Sequence, residues 1–249
     1  MSTYRQRVAL AAIFGLGSSA LLGAAAPVQD AGPAHSAIHR SVTSLPADAG
    51  LETGYCDGVE PVWPDPNALC GDGRLGPEKL PDTGHLAKLL KGYDRLGGEK
   101  TPKAFLDKYW DNDKKTWKYP PADGFVTDKD GKGKFVTKNL PKGVALSRFG
   151  GESGNYLALA DAHYSKRSLP PSNLSDPRDK EKYVDGCPNN FHLYEVIQPI
   201  TGEEGFLAPA FGQPGLGAQY FSKSGGLIWS VEEFVNRGYL KRLNCESKR

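Results

Sequence analysis

Apolar residues recur at helical spacing between Leu86 and Leu96. Leu86, Leu89, Leu90, Tyr93 and Leu96 fall on one face. Asp82 or Thr83 is placed to cap that helix, and Gly97-Gly98 to end it. A second helix is predicted from Thr101, with Pro102 in its first turn and Phe105, Leu106, Tyr109 and Trp110 as a bulky face. The stretch before them, Leu51 to Leu80, is turn-rich and carries Cys56 and Cys70. The pattern predicts a small, disulfide-tied helical N-terminal subdomain over residues 51–116.

From residue 111 the pattern changes. Lys, Asp, Gly and Pro dominate to residue 143. Phe125-Val126-Thr127 and Phe135-Val136-Thr137 flank a polar DKDGKGK run, which predicts a hairpin. Short strands are predicted around Val144–Phe149, Phe191–Ile197 and Gly226–Trp229. Ser230 and Glu233 form a capping box for a last helix carrying Val231, Phe234 and Val235, which Gly238 stops. No βαβ alternation appears, which excludes a Rossmann arrangement. The fold class is α+β, a compact and mostly antiparallel β core with short helices over residues 117–249.

Composition adds limits. The 249 residues are 39% hydrophobic, enough for one core, and 30 glycines with 19 prolines imply many turns. A net charge of +2 gives no electrostatic case for nucleic acid. Within Lys108–Lys118, Asp107, Asp111 and Asp113 cancel much of the lysine charge. Arg5 and Arg7 precede an apolar run from Val8 to Ala26, which reads as a secretory signal over 1–26, with a membrane anchor as the other reading. A flexible leader follows over 27–50. The four cysteines, Cys56, Cys70, Cys187 and Cys245, suggest two disulfides in an exported chain, with three pairings open. Asn173-Leu174-Ser175 is a glycosylation sequon and predicts a surface position. Zinc spacing is absent, and His85 and His192 lack a partner at metal spacing. Asp128 and Asp130 imitate a calcium loop, but Lys132 and Asn139 occupy ligand positions.

Candidate chemistry gathers in two segments. In Ser147-Arg148-Phe149-Gly150, a guanidinium suits a pyrophosphate, and Phe149 offers a face for a flat base. A strand-end Arg beside a core Phe is the plain reading. Tyr156 follows a Gly-rich turn in which Glu152 is the one carboxylate, either a charge stabiliser or a solvated turn residue. Arg167, before a stiff Leu169-Pro170-Pro171, is a second candidate phosphate clamp or a structural Arg. In Phe211-Gly212-Gln213-Pro214-Gly215, Gln213 offers an uncharged donor and acceptor for ribose or an attacking water, or it sits in a simple β-turn.

The order of these signals is more specific than any one of them. LSRFG, the Gly-rich turn, RSLPP, HLYEV and FGQPGLGAQY, then a short capped helix, resemble the tuberculosis necrotizing toxin family from about Trp117 to Leu243. YCDG, ALCGDGRLGP and FLDKYW resemble its fungal, conidial-surface members. The resemblance implies hydrolysis of NAD, and of NADP, to nicotinamide and ADP-ribose. NAD is then substrate, and no cofactor is required. It implies catalytic roles for Arg148, Gln213 and Tyr156, and substrate contacts from Phe149, Arg167 and Glu152. It further implies a homodimer and allows a structural calcium ion. Leu216 stands where the family's loop carries glycine. Two rival readings stay open: a non-catalytic surface adhesin, and an ADP-ribosyltransferase.

Overall fold

The short strands expected around Val144–Phe149 and Phe191–Ile197 form over Ala145–Phe149 and Phe191–Val196, and the rest of the sheet is built around that pair. The computed structural model describes residues 54–175, 183, 187–224, 227–246 and 248. The signal and leader expected over 1–50 lie outside the described residues. In chain order the helices are α1 (Gly84–Leu89), α2 (Pro102–Tyr109) and α3 (Val231–Asn236). The strands are β1 (Trp110–Asp111), β2 (Thr116–Trp117), β3 (Val136–Leu140), β4 (Ala145–Phe149), β5 (Tyr156–Leu159) and β6 (Phe191–Val196). They continue with β7 (Ile200–Phe206), β8 (Ala218–Phe221), β9 (Lys223–Ser224), β10 (Leu227–Ile228) and β11 (Leu240–Arg242).

Seven strands form one sheet in the order β11-β6-β4-β5-β8-β7-β3, every pair antiparallel. α3 packs Val231 and Phe234 into a core with Leu146, Leu157, Tyr194, Val196 and Tyr220. The predicted capping box holds: the Ser230 hydroxyl accepts from the Glu233 amide, and the Glu233 carboxylate accepts from the Ser230 amide. The predicted hairpin is only partly formed. Thr127 and Gly133 make one bridge, and the Asp128 carboxylate closes the turn by accepting from Asp130 and Lys132. Beyond it, β3 pairs with β7 instead, Val136 opposite Glu204 through Leu140 opposite Ile200.

β5 is short and divides its pairing. Tyr156 and Leu157 face Phe221 and Tyr220 of β8. Ala158 and Leu159 face Ser147 and Leu146 of β4. The β4–β5 ladder therefore ends before Arg148 and Phe149, which remain paired to His192 and Phe191 of β6. The sheet opens on one side of Arg148.

The N-terminal elements close against this sheet. Thr101 caps α2 by accepting from the Ala104 amide, with Pro102 at its first turn. α1 is shorter than its apolar pattern, because Gly92 takes a left-handed φ of 77° and the chain continues as turns. Leu89, Leu90 and Leu96 are buried all the same. Leu89 and Leu90 pack with Phe149, Tyr164 and Phe191, and Phe105 and Trp110 pack with Trp117 and Phe211. Residues 54–116 thus share their core with the sheet region. The disulfides are Cys56–Cys70 and Cys187–Cys245, which selects one of the three pairings.

One backbone contact locks the two regions. Gly97 and Gly212 meet back to back, both at left-handed φ (+56° and +68°), and a Cβ on either would strike the other's backbone. Gly212→Ala is expected to destabilise the protein by about 2–4 kcal/mol, from a steric clash added to backbone strain. Urea unfolding checks this; a midpoint equal to wild type would contradict the lock.

Candidate active site

Where β4 and β5 part, a cavity of about 490 Å³ opens, a volume suited to a small ligand. Arg148, Phe149, Tyr156 and Arg167, four of the sequence candidates, line it. Arg148 donates from Nε to the Gly151 carbonyl (2.8 Å) and from Nη1 to the Tyr156 carbonyl (2.8 Å). Its guanidinium lies flat on Gly154, where a Cβ would collide with it. Burial lowers its pKa from the usual arginine value, while the nearby Tyr194 and Glu152 oppose that shift.

Arg167 is 5% exposed. It donates to the Ser147 hydroxyl (2.7 Å) and twice to the Ala162 carbonyl (2.9 and 3.0 Å), with its guanidinium 5.0 Å above the Phe149 ring. Burial pushes its pKa down to about 10, which leaves it cationic at neutral pH. Every hydrogen-bond acceptor that these two guanidiniums have among the described residues is a neutral oxygen. Two cations with neutral partners, Arg167 buried and Arg148 half-buried, leave positive charge for an anion to neutralise.

Tyr156 joins that site to a carboxylate. Its hydroxyl donates to Asp123 (3.1 Å), and its ring stacks on Phe221 at 5.0 Å. Asp123 lines the cavity, and the Gln219 side-chain amide donates to the Asp123 carbonyl (2.9 Å). Neither Asp123 nor Gln219 was singled out from the sequence. Asp123 lies in a Pro-Ala-Asp-Gly turn, where an Asp is ordinary. Gln219 belongs to the quoted motif, six positions beyond Gln213 by numbering, and its strand setting was the only clue.

Three expectations change. Gln213 does not line the cavity: it is 3% exposed, and its Nε2 donates to the Asp94 carbonyl (2.5 Å), tying its loop to the N-terminal region. The same motif supports the wall indirectly, since Phe211 packs edge-on against the cavity residue Tyr119 at 5.5 Å. Glu152 is neither solvated nor in the cavity. It is fully buried and accepts from Arg242, Tyr194 and Tyr183. Burial by itself would raise its pKa, but the Arg242 bonds and charge and the Tyr194 hydroxyl bring it below the usual carboxylate value. Asn173 is half-buried, and its Nδ2 donates to the Phe149 carbonyl (3.0 Å). It is a cavity-wall residue and no open surface acceptor. Leu216, at a left-handed φ of 61°, holds the loop conformation that glycine adopts without strain.

Among the described residues, the one close group of three metal-ligand side chains is Cys187, His192 and Cys245. Its two sulfurs are bonded to each other, and calcium takes oxygen. No helix among the described residues is long and apolar enough to cross a membrane.

Comparison with known proteins agrees with this site's setting. Residues 139–243 match the family described as tuberculosis necrotizing toxin. The chain is 40% identical over 195 residues to the conidial surface nicotinamide adenine dinucleotide glycohydrolase nadA of Aspergillus fumigatus, covering 73% of this chain and 77% of that protein. The structure of tuberculosis necrotizing toxin complexed with its immunity factor aligns at 22% identity and a TM-score of 0.44, over 66% of this chain and 80% of that one. The chain belongs to the tuberculosis necrotizing toxin family.

The Tyr156 environment generates a pH prediction. Burial first, then the charge and hydrogen bond of Asp123, push its hydroxyl up to about 12 from 10.0. Tyr164 and Tyr194 are raised further, chiefly by burial. A raised folded pKa favours the protonated form, so this stability is intact below about pH 10 and is lost as pH climbs through the folded values. The ultraviolet difference between wild type and Tyr156→Phe should show ionisation near pH 12. A midpoint near 10 would remove the hydrogen bond to Asp123 from the picture.

Proposed function

We propose that this protein is a secreted or cell-surface NAD glycohydrolase, cleaving NAD at the nicotinamide–ribose bond to give nicotinamide and ADP-ribose. Family membership and the 40% identical glycohydrolase support the activity. The single observation that carries it to this cavity is the pair of guanidiniums, Arg167 buried and Arg148 half-buried, beside Asp123, the one lining carboxylate among the described residues. NAD has the matching charges, an anionic pyrophosphate and a cationic nicotinamide ring.

In this reading Arg148 holds the pyrophosphate, with Arg167 supplying further positive potential from below. Tyr156 and Phe149 wall the nicotinamide ribose. Nicotinamide departs as a neutral molecule when the C1′–N bond breaks, so no general acid is needed. The ribosyl group left behind carries oxocarbenium character, which the Asp123 carboxylate stabilises. The Gln219 amide, oriented by its bond to the Asp123 backbone, places the water that adds to C1′, and the proton of that water is released to solvent. Gln219 takes the role that the sequence reading gave Gln213, and Gln213 braces the loop.

Export is supported by the N-terminal apolar run and the two disulfides. Acceptance of NADP and dimerisation follow from the family resemblance and belong to the same proposal. An adhesin has no need of converging cations, and a transferase would require an acceptor.

The deciding experiment incubates purified, oxidised protein with NAD and no acceptor, and quantifies both products. Equimolar nicotinamide and ADP-ribose are expected. Arg148→Ala and Gln219→Ala should each lower kcat/KM by about 10²-fold or more in folded protein. Gly154→Ala should do the same by displacing Arg148, while Gln213→Ala should cost stability more than turnover. Full turnover in both Arg148→Ala and Gln219→Ala would reject the assignment.

A further inference from the structure

Glu152 is a buried carboxylate that the chemistry above does not use. Its charge sits in a turn of Gly, Ser and Asn residues that could close without it. Burying a carboxylate is costly unless it is paired and fully hydrogen-bonded, and here it is both. Arg242 donates from Nε to Oε1 (2.8 Å) and from Nη2 to Oε2 (2.6 Å). The Tyr194 and Tyr183 hydroxyls complete it at 2.9 and 3.1 Å. Arg242 and Tyr194 are themselves a cross-strand pair of β11 and β6.

The same turn controls Arg148. The Gly151 carbonyl, next to Glu152, accepts from Arg148 Nε, and Gly154 forms the flat bed for its guanidinium. Two more carbonyls of the turn are tied to the start of α3: the Glu152 carbonyl accepts from the Glu232 amide (3.0 Å) and the Gly154 carbonyl from the Val231 amide (2.9 Å). The turn is therefore held from two sides, and its third side aims the guanidinium.

We propose that Glu152, clamped by Arg242, Tyr194 and Tyr183, is the positioning residue for Arg148: it fixes the turn whose carbonyl and glycine bed orient that guanidinium into the cavity. Glu152 touches no substrate. The last strand of the sheet thereby acts on the substrate's pyrophosphate through one carboxylate. The proposal rests on the NAD glycohydrolase reading for its kinetic effect, but its geometric claim does not need that reading.

The test has two arms on the full-length mature protein. In the kinetic arm, Glu152→Gln should raise KM for NAD by about tenfold with kcat changed by less than about threefold, because an interaction with a non-reacting part of the substrate is lost. Tyr194→Phe, which removes one hydroxyl, should show the same split at about threefold and serves if Glu152→Gln does not fold. Leu240→Ala, buried on the same strand in the core cluster that includes Tyr194 but with no hydrogen bond to the carboxylate, is the stability control. It should lower Tm and leave kcat/KM near wild type. In the second arm, the Arg148 Nε–H resonance is identified by its loss in Arg148→Lys, and its hydrogen exchange is measured. Exchange should quicken by about tenfold in Glu152→Gln while core amides stay protected. Unchanged KM and unchanged exchange in folded Glu152→Gln or Tyr194→Phe would overturn the proposal, as would a KM rise in Leu240→Ala equal to theirs. If wild type does not hydrolyse NAD, the functional reading fails on its own, and the exchange arm alone decides the positioning role.

Discussion

Hydrogen-bond supply at the fork of β4 and β5 is the constraint on which the site depends. A strand of four residues that gives half its length to each neighbour leaves backbone carbonyls without strand partners. Buried carbonyls need donors. Arg148 and Arg167 provide them, to Gly151, Tyr156, Leu159 and Ala162. The exchange works in both directions. The fork gains its missing donors, and the guanidiniums gain enough neutral oxygen to stay charged. Because those oxygens carry no net charge, the positive potential is left for a ligand to neutralise. A carboxylate partner in the same place would have given a more self-contained ion pair and a poor anion site.

The N-terminal region completes this arrangement from outside the sheet. Tyr119 and Asp123 reach the cavity from the segment that links the helical part to β3, and Tyr119 leans on Phe211. Phe211 in turn belongs to the cluster that includes Phe105 and Trp117. The Gly97–Gly212 contact and the Gln213–Asp94 bond fix the loop that carries it. The helical region therefore backs the site's wall through Phe211 without lining the cavity, and its Cys56–Cys70 bridge lies on that backing.

What the sequence disclosed follows from which interactions are local. The cap of α2, the capping box of α3 and the short strands β4 and β6 are written within a few residues, and they folded as read. The resemblance of LSRFG and RSLPP to family motifs singled out Arg148 and Arg167, and both line the cavity. β7 was missed because Ile200–Phe206 contains two glycines and two glutamates that blur its alternation, and only pairing on both sides makes it a strand. Gln213 looked more reactive than Gln219 because glycines flank it. Of these, Gly212 serves a backbone contact with Gly97, which no local pattern shows. Glu152 was misread for the same reason: its partners lie 31, 42 and 90 positions away.

The place of β11 in the chain has a consequence for biosynthesis. It leaves the ribosome after the other described strands of its sheet, and it sits at the sheet edge beside β6. Arg242, which neutralises Glu152, arrives with it, as does Cys245 soon after. A nascent chain that already contains every cavity-lining residue still lacks the cation that compensates the buried carboxylate. Assembly of the pocket is thus deferred until β11 has emerged, which separates the synthesis of the cavity-lining residues in time from the appearance of the fully ordered anion site.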